Sequence, residues 1–395
     1  MKPARHAVVC TLLSIALAAA TAATAAPLPV TVPFDDDFGL VLFRVRIGDS
    51  PPLSAFLDTG FDVSVIDVAV AERLGLHPHD LKSEAQPGGT LETGKLDPLS
   101  LTIGELTTAP LELTTAPIAG LGAVVGRPLD LIVGHDLLER YVVEIDWPRR
   151  TLRWLDPQTP PTATAGTVLP VEIVAAEPFV VAGLAMPGGR AVFGRFKLDT
   201  GSLDVAGLNL NFVRDEKLLE AGTRELAVGG VGAGGETSGR LFRAEAILLG
   251  DHRLSRPLVG YTVDSGGFEN RDNAGTIGVA WLSRFRLTLD YPHRRIVLEP
   301  GVDADRAVAD DLSGLFLVDP LDGSGTLVVA QVFPGSPAER AGVRPGDVLL
   351  RWNAAPPPTL REARARLQQP GRLDLVLRRD ESEIPLALTP ERYLP

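Results

Sequence analysis

The string "LDTG" occurs at 57–60 and again at 198–201, each time placing an aspartate at the end of an apolar run and following it with Thr and Gly. Two carboxyl groups brought close together can do acid and base work at once. Repulsion disfavours double ionisation, so such a pair keeps one proton between its members. The ionised member can take a proton from water while the protonated member donates to a carbonyl oxygen, which is the chemistry of amide hydrolysis. Asp58 and Asp199 are the candidates for that pair. Gly60 and Gly201 permit a tight turn directly after each aspartate, where a side chain would obstruct the approach of two loops. Thr59 and Thr200 carry short, stiff hydroxyl side chains able to hydrogen-bond across the junction. Leu57 and Leu198 end the apolar strands and give the carboxyls a rigid, partly dry support. Ser202 brings a hydroxyl able to bond the second carboxylate, where the first copy has Phe61.

These two turns belong to a larger repeat. The stretch "LIVGHDLLERYVVEIDWPRRTLRWLDP" (131–157) lies over "GTIGVAWLSRFRLTLDYPHRRIVLEP" (275–300), matching Gly134 to Gly278, Asp146 to Asp290 and Pro148 to Pro292 at one constant offset. "ETGKL" and "ETSGRL" correspond in order. The region from about 30 to 300 is therefore two copies of one unit. Each reads as mostly strand, with short helices expected at 67–76 and 211–222 and a hairpin over 141–155 turning at Pro-Arg. "DPQTPPTATAG" (156–166) is a connector without periodicity.

With both motifs in order in each copy, residues 30–300 resemble the retropepsin/pepsin class of aspartic proteases, most of all its bacterial retropepsin-like members. The resemblance implies that Asp58 and Asp199 form a catalytic dyad, that Thr59 and Thr200 grip each other, and that Gly134 and Gly278 lie in loops crossing behind the aspartates. It also implies that a single chain supplies both halves of one site, an intramolecular pseudo-dimer. The glycine-rich stretches 86–95 and 229–240 stand where the family carries its flap hairpins. Two departures mark the pair as unequal: Phe61 against Ser202, and "HDLL" against "VAWL" after the two glycines.

After residue 300 the pattern changes. An acidic bridge, "GVDADRAVADD", leads into "GSPAERAGVRPGDVLL" (335–350), which resembles a bacterial PDZ domain. Pro337–Ala341 would form a short helix stopped at Gly342, and a longer helix is expected over 359–369. The amides of Gly314, Leu315 and Phe316 would receive a peptide carboxylate, with the ligand added as a strand beside the long helix. Docking of this unit on the two lobes is the alternative.

The expected architecture is thus mainly β: two acid-protease-like β-barrel lobes (26–156 and 157–300) forming a pseudo-dimer, plus a small α+β PDZ-like domain (301–395). Residues 1–25 read as a signal peptide, with Lys2 and Arg5, a short apolar core and "ATA" at 23–25. Export to the periplasm or beyond follows, with no membrane span left after its removal. Cys10, inside that leader, is the single cysteine, so disulfides, thiolate metal sites and cysteine nucleophiles are excluded from the mature chain. A net charge of -12 argues against a nucleic-acid partner. His77, His79 and Asp80 lack further ligands nearby, so no metal and no cofactor is expected. "GSPA" and "DGSGT" lack the spacing of a serine-hydrolase elbow. The function expected is an exported aspartic endopeptidase acting on polypeptides, with a C-terminal peptide as ligand of the PDZ-like unit. Its rivals are a periplasmic peptide-binding protein that kept the cleft without turnover, and a site completed by a second chain.

Overall fold

The computed structural model describes residues 28–86, 89–159, 166–219, 223–232, 235–263 and 272–394. The expected leader, the tips of both glycine-rich hairpins and the middle of the connector lie outside the described residues.

The two copies fold alike, strand for strand. In the first, the sheet runs His79–Gln86, Gly89–Lys95, Thr114–Ala116, Val65–Asp67, Leu131–Val133, Leu53–Leu57, Leu40–Ile47, Leu101–Ile103, Leu106–Thr107. The second repeats that path as Leu226–Gly232, Gly235–Arg243, Leu258–Thr262, Ala206–Leu208, Gly275–Gly278, Ala191–Asp199, Glu177–Ala185, Ala246–Leu249, His252–Ser255. Every residue of Leu53–Leu57 is buried, as a strand covered on both faces requires. It pairs in parallel with Leu131–Val133, and Ala191–Asp199 does the same with Gly275–Gly278. Those parallel pairs bring each aspartate beside its matching glycine turn.

A six-stranded sheet joins the lobes in the order Val30–Pro33, Thr151–Leu155, Val142–Asp146, Phe285–Asp290, Arg295–Pro300, Thr167–Pro170. Its centre is antiparallel, with Glu144 opposite Thr288 and Ile145 opposite Leu287. Glu144 and Thr288 occupy equivalent places in the repeat, so the local two-fold axis passes between them, as an isologous contact demands. The flanking hairpins turn through Arg150 (φ 54°) and Arg294 (φ 53°), a matched pair of left-handed residues. One apolar core runs through both lobes.

The first expected helix is Val68–Arg73, capped by the Asp67 carboxylate on the Ala69 amide at 3.0 Å. The second is shorter than the pattern suggested. It spans Leu210–Asp215 and ends as Lys217 enters the left-handed region (φ 48°); residues 220–222 of the expected helix lie outside the described residues. The C-terminal unit has its own core under the sheet Leu315–Val318, Leu327–Val332, Val348–Trp352, Leu373–Arg379, Ser382–Leu388. Its helix Pro337–Arg340 starts at Ser336 and stops before Gly342 (φ +85°). Helix Leu360–Leu367 opens with a Thr359–Glu362 capping box and buries Leu360, Ala363 and Leu367. Among the described residues no helix is long and apolar enough to cross a membrane.

Candidate active site

Both aspartates leave their strands into the same junction between the lobes. Thr59 donates its hydroxyl to the Leu198 carbonyl at 2.7 Å and accepts from the Thr200 amide at 3.0 Å. Thr200 mirrors this, donating to the Leu57 carbonyl at 2.8 Å and accepting from the Thr59 amide at 3.1 Å. Four buried bonds thus fasten the two turns, and neither threonine can be satisfied without the other lobe. The glycines explain themselves by what surrounds them. A Cβ on Gly60 would come within 2.5 Å of Asp199 Oδ2, and one on Gly201 would run into the Asp58 carboxylate.

The carboxyls are held from the inner side. Asp58 Oδ1 accepts from the Gly60 amide at 2.7 Å, and Asp199 Oδ1 accepts from Gly201 at 2.9 Å and Ser202 at 3.1 Å. Ser202 therefore contributes its amide where a hydroxyl contact was expected. Asp58 is 5% exposed, and its acidity is weakened well beyond the ordinary carboxyl range, by burial first and by the charge of Asp199 second. Amide donation from Gly60 and the charge of Lys197 act the other way. Tyr291 is buried nearby; burial pushes its phenol up, and the charges of Asp199 and Asp58 add to that. His135 stacks on Tyr291 with ring centroids 5.4 Å apart.

Gly134 and Gly278 take the places expected of them. A Cβ on Gly134 would lie 2.5 Å from the Val63 carbonyl, and one on Gly278 would lie 2.6 Å from the Ser202 carbonyl, so each backbone crosses its partner loop too closely for a side chain. The unequal sequences after them have a structural reason. Ser64 donates to Asp136 at 2.6 Å and accepts from the Gly134 amide at 3.1 Å. In the second copy Val205 and Ala280 replace that polar pair, and apolar packing does the bracing. The two glycine-rich stretches form hairpins, His79–Gln86 with Gly89–Lys95 and Leu226–Gly232 with Gly235–Arg243, which approach each other across the lobes.

Lys197 is a residue that the repeated motifs alone do not single out. Its ammonium lies 3.3 Å from Asp199 Oδ2 and 3.3 Å from Glu177 Oε1. The signal was present, since "FKLDTG" sets a charge in an apolar strand where the first copy has "AFLDTG".

The PDZ-like groove is covered. Leu315–Val318 is an edge strand, and the space between it and helix Leu360–Leu367 holds part of the first lobe. The Arg364 guanidinium lies over Phe38 at 4.4 Å and Phe316 at 5.2 Å, and donates to the Val124 and Leu317 carbonyls. The Asp319 amide donates to Ala123, and Arg361 bonds to Asp36 and Asp37. The expected nest at Gly314, Leu315 and Phe316 is filled from within at its first two amides. Asp311 Oδ1 accepts from Ser313 at 2.9 Å and Gly314 at 2.5 Å, while the Leu315 amide donates to Ser313 Oγ at 3.0 Å. His79 faces Asp80 and Asp97, and no group of three or more metal-ligating side chains occurs among the described residues.

Residues 43–137 match the family described as aspartyl protease, and residues 328–379 match the PDZ domain. A curated relative, serine protease HTRA1 of Xenopus laevis, is 32% identical over 72 residues, 18% of this chain and 16% of that protein's length. Among solved structures, the aspartic proteinase from Irpex lacteus covers 71% of this chain and 99% of its own at 12% identity and a TM-score of 0.45. A retropepsin-like aspartic protease from Rickettsia conorii covers 32% of this chain and 97% of its own at 18% identity and a TM-score of 0.24. This chain thus carries an aspartyl protease region at 43–137, whose strand path the second lobe repeats, and a PDZ domain at 328–379.

Proposed function

We propose that the protein is an exported aspartic endopeptidase whose single site uses Asp58 and Asp199 as a dyad. The observation that carries the reading is the meeting of two equivalent DTG turns, with a buried Asp58 disposed to keep a proton beside a second carboxylate. Asp199 takes a proton from water as its oxygen bonds to the peptide carbonyl carbon, and Asp58 gives its proton to the carbonyl oxygen. On collapse the C–N bond breaks, the leaving nitrogen takes the proton held by Asp199, and the returning carbonyl restores the proton of Asp58. Thr59, Gly60, Thr200, Gly201 and Ser202 hold the geometry that this exchange needs. The two hairpins, standing where the family has its flaps, close over an extended polypeptide. The leader-like residues 1–25 support a periplasmic or secreted setting. The PDZ domain is assigned to a peptide terminus, admitted when its groove is uncovered.

The test is digestion of an unfolded-protein or peptide library from about pH 4 to 7 by the mature chain and by Asp199→Asn. Products present with the wild type and missing with the variant are expected. A library left intact by the wild type, yet bound by it, would turn the assignment to a peptide-binding protein.

A further inference from the structure

We propose that Lys197 is a positioning residue of the dyad, holding negative charge on Asp199 so that the shared proton resides on Asp58. The assignment rests on the endopeptidase reading and names which carboxyl plays which part. Lys197 stands two residues before Asp199 on the strand Ala191–Asp199, and its side chain is 10% exposed. An ammonium removed from water is costly unless it is paired. Here it has Asp199 Oδ2 at 3.3 Å and Glu177 Oε1 at 3.3 Å, with Glu177 reaching from the neighbouring strand. The equivalent residue of the first lobe is Phe56, buried and apolar. The second lobe therefore sets an ammonium beside its aspartate where the matching position of the first lobe carries a phenyl side chain. A symmetric pair would leave the proton undecided; this pair is not symmetric.

The other groups facing the dyad leave that asymmetry in place. Tyr291 approaches from the hairpin after Phe285–Asp290 and stays neutral, its phenol pushed up by burial and by both carboxylates. His135, stacked on Tyr291, has its imidazole pushed down by burial, with the charges of Glu139 and Asp136 acting the other way. Asp136, half-buried and with its acidity weakened by desolvation, is tied to Ser64, and Asp204 is exposed. Lys197 is the cation whose charge acts on Asp58, in the direction that opposes burial.

The experiment measures kcat/KM against pH on one peptide for the wild type, Lys197→Met, Lys197→Arg and Glu177→Gln. A nearby charge moves a carboxyl by about 1–3 pH units. Removing the ammonium should carry the whole bell-shaped profile to higher pH by about one unit, and Lys197→Arg should restore it. Glu177→Gln, which removes an anion with little change of shape, should move the profile the opposite way and serves if Lys197→Met fails to fold. Profiles that superimpose on the wild type would overturn the assignment. Carboxyl carbon-13 NMR titration of the same proteins needs no turnover. A dyad titration that moves in Lys197→Met while nothing is cleaved would keep the role of Lys197 and sink the protease reading. Cleavage by the wild type with an unmoved titration would do the reverse.

Discussion

At the scale of single residues, the carboxyl pair is a place where function opposes stability. Burial and the neighbouring Asp199 make the folded state hold the Asp58 proton more tightly than the unfolded chain does. The sign follows from linkage: stability from this group is fully present below the unfolded carboxyl value near 3.8, and is lost as pH rises through the raised folded value. Asp58→Asn cannot ionise and escapes that loss. It should unfold at a higher temperature than the wild type at pH 7, by about 1 kcal/mol, the usual size of a single-site effect. The gain should shrink toward pH 4, while peptide cleavage is abolished. A melting temperature that is equal or lower at pH 7 would contradict the argument. Both aspartates were legible in the sequence because the chemistry needs that residue type in that turn. Lys197 was not, although its letter was visible, because its meaning depends on Glu177, which reaches it from the neighbouring strand, and on its own side chain turning back to Asp199.

At the scale of elements, the two turns work as one fastening. Each threonine hydroxyl spans from one lobe to the other, a separation of about 140 positions in the chain. Thr200→Val keeps the shape of the side chain and removes its oxygen, leaving the Leu57 carbonyl and the Thr59 amide buried without these partners. A buried polar group stripped of its bond costs about 1–3 kcal/mol, so the variant should lose roughly that much stability and most activity. Thr59→Val should cost a similar amount, and the double variant clearly less than the two together, because both act on one network. Strict additivity in denaturant unfolding would show that the two turns are not coupled. The repeat that places these turns was legible at this scale, since matched glycines and a common Asp-x-Pro turn run through both copies. Helix ends were less so. Lys217 stops the second helix early through a left-handed backbone, and nothing in a lysine's letter announces that conformation.

At the scale of the whole molecule, the PDZ domain behaves as a bracket between the lobes. Its groove takes Phe38 and the end of the helix Ala119–Val125 from the first lobe, and its Gln331 lies against Gly229 in the second hairpin. Arg224, also of the second lobe, reaches the Tyr393 carbonyl near the C-terminus. Sequence could name the domain but not this seating, which depends on surfaces hundreds of residues apart. Desolvation in the contact is deep enough to push the Arg364 guanidinium down to about 10. Two separate locks then stand between the domain and a peptide: the first lobe in the groove, and the Asp311 carboxylate on the Gly314 amide of the nest and on Ser313, whose hydroxyl takes the Leu315 amide. They can be broken one at a time. The probe is a labelled peptide ending in an apolar residue, made with a free and with an amidated C-terminus. The wild type should bind both weakly. Phe38→Ala with Arg361→Ala should release the groove and tighten both peptides by about tenfold, the effect of removing some 1.4 kcal/mol of docking. Only when Asp311→Ala is added should the free acid bind more tightly than the amide, because a carboxylate gains nothing from amides already satisfied by another. Binding of the free acid by the wild type as tightly as by the triple variant would show that neither lock exists in solution, and that the domain faces its ligands unobstructed.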